Sequence, residues 1–172
     1  MNAVRSGDER KLAVLFERHH AKLYRYYLRM TGSSQASEDL VQEVFFRMLK
    51  YRETYRQEYG FTTWMYRIAR TAHIDQMRKR KWEVGLAEDW DGPARAEKSL
   101  DDRQEIEFVK RALLRLPPEK RELLVLSRFQ GMKYEQIAAL MECEVGTVKV
   151  RVFRAMQALR EQFFEMTGRK AS

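Results

Sequence analysis

The sequence has one cysteine, Cys143, among its 172 residues. A single thiol excludes an internal disulfide and any zinc site built on several thiolates. The sequence also lacks a run of the roughly 18 to 20 apolar residues that a membrane-spanning helix needs. Its first residues, MNAVRSGDERK, lack the apolar stretch of a secretory signal. We therefore expect a cytoplasmic chain that does not insert into a membrane.

Proline and glycine are scarce, with three and eight residues respectively. Almost all of them stand between stretches of helical apolar periodicity, and no alternating run typical of a strand is present. This pattern predicts an all-α protein. The predicted helices span residues 8–30, 37–51, 61–82, 100–115, 118–130, 134–141 and 146–166.

The net charge of +8 is unevenly distributed. Residues 1–82 carry +8, residues 83–107 carry −6 and residues 108–172 carry +6. These boundaries predict two small helical domains, 1–82 and 108–172, joined by a flexible acidic linker, 83–107. Two basic domains around an acidic linker are typical of a protein that holds a polyanion at two places. A merely solvated charged surface is the alternative that charge alone leaves open.

Motifs for metal binding or catalysis are missing. His19, His20, His73 and Cys143 do not have the spacing that preorganises metal ligands. The carboxylates form no motif with a nucleophile, and no Gly-Lys-Ser/Thr phosphate loop is present. We therefore expect no metal, no cofactor and no enzymatic activity. Cys143, which lies between two apolar helices, is expected to be a small core residue.

The second domain contains a predicted helix-turn-helix. The segment GMKYEQIAALMECEVGTVKVRVFRAMQALRE gives a short helix, a turn of about four residues and a longer helix. Apolar residues from Val148 to Phe163 line one face of the longer helix. The opposite face is basic and can enter the major groove, where Arg reads guanine or phosphate and Val150 touches a thymine methyl. An ordinary amphipathic helix with a solvated basic face is the alternative.

The helix SEDLVQEVFFRMLK has a buried stripe and a polar face, with Ser37 as its predicted N-cap. Phe46 lies in the middle of the polar face. An aromatic side chain among charges is typical of a protein contact surface. Packing of Phe46 on a neighbouring helix of the same domain remains an equal alternative at this point.

The next helix, FTTWMYRIARTAHIDQMRKRK, is predicted to bury Trp64 and to project Arg67, Arg70 and Arg78 beside Tyr66 and His73. The preceding segment, YRETYRQEYGF, contains four aromatic residues in a predicted loop. Basic side chains hold phosphates, and aromatic neighbours stack on exposed bases. Interleaved tyrosines and arginines therefore favour unstacked bases over an intact duplex.

Four blocks in this order resemble the extracytoplasmic-function (ECF) group of bacterial RNA polymerase sigma factors, within the sigma-70 family. They are DLVQEVFFRM, TWMYRIARTAHIDQMRKRK, LPPEKRELLVLSRFQGMKYEQIA and GTVKVRVFRAMQALR. The resemblance implies a sigma2-like helical bundle and a sigma4-like helix-turn-helix domain. It implies a transcription initiation factor that directs core polymerase to promoters and assists DNA melting.

The resemblance also assigns residues to partners. The surface for the polymerase β′ clamp comprises Asp39, Gln42, Glu43, Phe46 and Arg47. The minus-ten site comprises Tyr55, Arg56, Tyr59, Phe61, Arg67, Arg70, His73, Asp75, Arg78 and Lys79. The minus-thirty-five site comprises Lys133, Tyr134, Thr147, Lys149, Val150, Arg151 and Arg154. The polymerase β flap is expected to contact the second domain, the acidic linker is expected to thread the RNA exit channel, and an anti-sigma factor is expected to hold the chain inactive.

Two residues depart from the family pattern. Family members commonly have Ser in place of Val150, and a Ser near the helix start in place of Glu144. The first change substitutes apolar contact for a hydrogen bond, and the second weakens the helix cap and brings an anion toward phosphate. Both bear on promoter preference.

Two other classes of function are alternatives to a sigma factor. A helix-turn-helix regulator would bind duplex DNA without polymerase, and would need neither DLVQE nor an Arg-rich third helix. An adaptor that only bridges proteins does not explain the charge distribution. Run-off transcription with core polymerase separates the three classes.

Overall fold

The computed structural model describes residues 1–84 and 100–168, except for the side chains of residues 80–84 and 100–103. All regular elements in these residues are helical. They divide into two compact units, the first built from most of residues 1–84 and the second mainly from residues 100–168. No helix in the described ranges is long and apolar enough to cross a bilayer. Residues 85–99 of the expected acidic linker lie outside the described residues, and residues 100–107 belong to a helix.

The first unit contains helices α1 (Asn2–Arg5), α2 (Lys11–Thr31), α3 (Ser34–Lys50) and α4 (Phe61–Val84). Two short 3-10 turns, Arg52–Thr54 and Gln57–Tyr59, connect α3 to α4. The helix α1 was not predicted, because four residues are too few to show helical periodicity. Gly60, with φ 71° and ψ 146°, has a positive φ just before α4 begins, a conformation that glycine adopts readily.

The core of the first unit lies between α2, α3 and α4. Its fully buried side chains include Leu23, Tyr26, Val44, Met48 and Met65. Burial of apolar surface stabilises the folded state by about 25 cal/mol per Å². The burial of these side chains is therefore the main interaction that holds the three helices together. The Tyr27 hydroxyl donates to the Ala69 carbonyl at 2.9 Å, which links α2 to α4 and satisfies a buried polar group.

The N-cap of α3 is Ser33, whose hydroxyl accepts the Ala36 N–H at 3.2 Å. The prediction that Ser37 is the cap was wrong. Ser37 is buried one turn into the helix, where its hydroxyl donates to the Ser33 carbonyl at 2.6 Å. Both serines precede the apolar stripe, and only the backbone geometry at Ser33 is extended, as a cap requires.

The second unit contains α5 (Leu100–Arg115), α6 (Pro118–Leu124), α7 (Tyr134–Met141) and α8 (Val145–Thr167). A π-helical turn, Val125–Phe129, continues α6. Val148, Val152 and Ala155 of α8 are buried, as predicted. The turn between α7 and α8 passes through Glu142, the only non-glycine residue of positive φ (53°) in the described chain.

The guanidinium of Arg121 holds the C-terminal end of α5. Arg121 donates to the carbonyls of Leu113 at 3.1 Å, of Leu116 at 3.0 Å and also of Leu114. The last carbonyls of a helix have no partner within the helix, so these bonds cap α5. Burial lowers the pKa of Arg121.

Candidate nucleic-acid and protein interfaces

Phe46 is exposed on the outer face of α3, with 62 % of its surface accessible. Asp39 and Gln42 on the same helix are also exposed. The structure excludes one of the two alternatives for Phe46, because the side chain is not buried against a neighbouring helix of its own unit. An aromatic ring left in water among polar groups is available to a protein partner.

Arg47 of α3 pairs with two carboxylates, that of Glu43 on the same helix and that of Asp75 on α4. Its Nη1 atom lies 2.7 Å from Oδ2 of Asp75, and its Nε atom lies 2.5 Å from Oε1 of Glu43. Burial alone would lower the pKa of Arg47, but the hydrogen bonds with Glu43 and Asp75 outweigh it and raise the pKa above its ordinary value. We call these three residues the Arg47 triad. It brings together residues that the resemblance assigned to polymerase (Glu43, Arg47) and to DNA (Asp75).

A pocket of about 400 Å³ opens beside Phe46, between α3, α4 and the first turn of the loop. Trp64 and Ile68 contribute apolar surface, and the charged side chains of the Arg47 triad line it as well. The Trp64 indole donates to Thr54 Oγ1 at 3.1 Å, which fixes one wall. Trp64 is buried, as predicted. A pocket with apolar walls beside charged groups suits an apolar side chain of a partner.

The expected minus-ten residues divide by exposure. Tyr59, at 66 % exposure, and Arg56, Arg67, Arg78 and Lys79 are exposed. Phe61, Arg70 and Asp75 are half-buried. Together they form a basic and aromatic surface along the loop and α4.

Tyr55 and His73 do not lie on that surface. Tyr55 is 5 % exposed, and its ring meets Trp64 edge-on at a centroid distance of 5.3 Å. His73 is 7 % exposed, with its ring 6.3 Å from that of Tyr27. Neither ring can stack on a base in this conformation, so both are placed in the core that supports the surface. Tyr66, expected on the exposed side, is also buried, which raises the pKa of its phenol.

The expected minus-thirty-five residues gather at the start of α8 and of α7. Lys149, Val150, Arg151 and Arg154 are exposed on the side of α8 opposite its buried stripe, and Thr147 is half-buried. At the start of α7, the Lys133 N–H donates to the Gln136 side chain at 3.0 Å, a partial capping box. Lys133 is exposed there and Tyr134 is half-buried.

The same face of α8 contains a residue that the sequence analysis missed. Phe153 is 63 % exposed, and Val150, three residues earlier, is 49 % exposed. Phe153 lies three residues after Val150, and residues three or four apart are neighbours on a helix surface. This spacing was available in the sequence and could have identified it. Glu144, the N-cap of α8, makes no cap bond with its side chain, in line with the expected weak cap.

Two smaller expectations concern metal binding and Cys143. In the described part of the chain, no three His, Cys, Asp or Glu side chains are grouped to hold a metal ion. Cys143 is a free thiol of intermediate burial at the turn before α8, so it is not a fully buried core residue.

Comparison with known proteins assigns a family to this arrangement. The model of Sigma-70 region 2 matches residues 15–83, and that of Sigma-70 region 4 matches residues 109–159. RNA polymerase sigma-H factor of Pseudomonas aeruginosa is 33 % identical over 170 residues, covering 91 % of this chain and 88 % of that protein. ECF RNA polymerase sigma-E factor of Escherichia coli K12 is 30 % identical, with the same coverage of both chains.

A solved structure is similar over both units. It is the co-crystal structure of the sigma factor RpoE in complex with the anti-sigma factor NepR from Bartonella quintana. The TM-score is 0.74 at 28 % identity, and the likeness covers 87 % of this chain and 94 % of that one. Fold, sequence and the order of the matched regions agree. The chain therefore belongs to the extracytoplasmic-function group of the sigma-70 family of RNA polymerase sigma factors.

Proposed function

We propose that this sigma factor contacts the β′ clamp of core polymerase through the α3 surface around Phe46, and contacts promoter DNA through α4 and α8. The observation that carries this assignment is the exposed ring of Phe46 on the polar face of α3, and the exposed side chains of Arg151 and Arg154 on α8 support the DNA contact. Family membership makes the chain a transcription initiation factor, and a regulator that acts without polymerase is not favoured.

The loop from Tyr51 to Gly60 and the exposed face of α4 are proposed to capture the minus-ten element as single strand. Unstacking a base costs a few kcal/mol, and stacking on an aromatic side chain returns about 1 to 3 kcal/mol per base. Exposed Tyr59 supplies such a ring, and Arg56 and Arg67 supply charge for the backbone. In this proposal the chain has no catalytic role of its own, and polymerase contacts supply the remaining free energy of melting.

Further partners follow from the family and the similar complex. The second unit is proposed to lie on the β flap, and the acidic linker in the RNA exit channel. Because the RpoE relative was crystallised with an anti-sigma factor, we propose that a protein of that kind also holds this chain inactive. Because bacterial polymerase and chromosome lie in the cytoplasm, we propose that the chain acts there.

Run-off transcription tests the proposal. Core polymerase alone is expected to give no specific transcript, and core polymerase with the full chain is expected to give one from the promoter upstream of the chain's own operon. Duplex binding by the chain alone, with no transcript after core enzyme is added, would favour the regulator instead.

The minus-thirty-five assignment predicts that Val150 reads a thymine methyl. Replacing one thymine of the element at a time by uracil removes only that methyl. One such replacement is expected to weaken holoenzyme binding about fourfold, since a buried carbon of this size is worth about 0.8 kcal/mol. The Val150→Ser variant is expected to bind thymine and uracil forms equally. Uracil outside the element is the control, and a preference that survives in the variant would assign the methyl contact to another residue.

A further inference from the structure

The short helix α1 is attached to the loop that precedes α4. One guanidinium nitrogen (Nη1) of Arg5 donates to the Tyr55 carbonyl at 3.1 Å. The Asn2 amide donates to the Gln57 side chain at 2.9 Å. Val4 is fully buried, and α1 packs on the first 3-10 turn of the loop. Two side chains of α1, Asn2 and Arg5, therefore hold a segment about fifty residues away in the chain.

Few side-chain bonds fix the shape of the loop: Arg56 donates to the carbonyls of Glu53 at 2.8 Å and of Tyr55 at 3.3 Å, and Trp64 donates to Thr54. From Glu53 to Gly60, Tyr55 is the only buried side chain, and the remaining residues are exposed. The loop's own backbone bonds are the single-turn bonds of its two 3-10 segments, such as Gly60 N–H to Gln57 carbonyl at 3.0 Å. A segment with few buried contacts opens at low free energy unless something outside it holds it. Arg5 bonds the loop at its one buried residue.

We infer that α1 is a positioning element of the minus-ten site, and that Arg5 fixes the loop so that Tyr59 and Arg56 face the single strand. The inference rests on the proposed function, since it gives that loop the role of capturing bases. Arg5 is a positioning residue, because it acts through the Tyr55 carbonyl rather than by contact with a base. A hydrogen bond from a charged donor is among the stronger ones, which suits it to hold a backbone carbonyl in place.

The test uses holoenzyme assembled from the full chain and a promoter with 2-aminopurine in the minus-ten element. Arg5→Ala is expected to slow promoter opening about fivefold to tenfold, as loss of one partly buried hydrogen bond would do. Arg5→Lys, which can still donate to the carbonyl, is expected to restore most of the rate. Arg10→Ala removes the same charge from an exposed position and is expected to stay within about twofold of the parent.

Hydrogen exchange of the free chain shows how Arg5 acts. In Arg5→Ala, faster exchange is expected at the amides of Tyr55, Tyr59 and Gly60, with no change in α4 around Ala69. Slower opening with unchanged loop exchange would mean that Arg5 touches DNA itself, and faster exchange throughout the unit would mean a general loss of stability. Either result overturns the inference. If the parent holoenzyme opens no promoter, the proposed function is wrong. If the parent and Arg5→Ala open the promoter at equal rates, only the inference about Arg5 is wrong.

Discussion

Phe46→Ala is expected to weaken binding to core polymerase at least about 30-fold while leaving the fold unchanged. An aromatic side chain at the centre of a protein interface typically costs 2 kcal/mol or more when truncated, and ~2 kcal/mol corresponds to that factor. The ring is exposed in the free chain, so its loss opens no cavity and should not lower the melting temperature. Titration of fluorescent chain with core enzyme measures the affinity, and thermal unfolding monitors the fold.

Phe153→Ala is the matched control, because the two rings are exposed to the same degree in different units. It is expected to keep core binding within about twofold of the parent, since a surface change away from the contact has little effect. If Phe46→Ala bound core enzyme as tightly as the parent, the α3 surface would not be the polymerase contact. Equal losses in both variants would point to a general effect of removing surface aromatics.

The double variant Arg151→Ala with Arg154→Ala is expected to weaken holoenzyme binding to a minus-thirty-five duplex at least about 30-fold. Each arginine contact with a base or phosphate is worth about 1 to 3 kcal/mol. Both side chains are exposed on the face of α8 opposite its buried stripe, and their removal leaves no buried partner unpaired. Anisotropy of labelled duplex at several salt concentrations measures the loss and the salt slope.

A second double variant, Arg128→Ala with Arg160→Ala, removes the same charge from exposed positions of the same unit outside the proposed surface. It is expected to lower affinity only through the weaker overall field. An equal loss in the two double variants would make the contact a general charge effect rather than recognition by α8. A loss that varies with the duplex sequence would assign base reading, and a uniform loss would assign phosphate contact.

Much of the fold was predictable because Gly and Pro bound the helices. Gly60 precedes α4, Pro118 begins α6, and the predicted α4 and α8 begin within one residue of their observed starts. The exposed face of α8 was predictable from periodicity. Val148, Val152 and Ala155 recur at helical spacing, which leaves Arg151 and Arg154 on the opposite side. A sequence pattern is enough to predict a helix and its buried face when both depend only on residues of that segment.

The remainder depended on contacts between distant residues. Tyr55 and His73 carry polar groups that fit a DNA surface, but Trp64 and Tyr27 provide aromatic surroundings that bury them. The bond from Arg47 to Asp75 spans 28 residues, and that from Arg5 to Tyr55 spans 50. No periodicity within one helix encodes such pairs, so their identification needed the packed structure.

The Arg47 triad has a consequence for chimeras between relatives. If only the α3 segment of a relative replaced that of this chain, a residue other than Arg from the relative could lie at position 47, opposite the carboxylate of Asp75. A neutral residue at position 47 would leave the half-exposed carboxylate of Asp75 without its ion pair, and an acidic residue would repel it across the helix pair. A chimera that takes α3 from a relative should therefore also take the residue at position 75 from that relative.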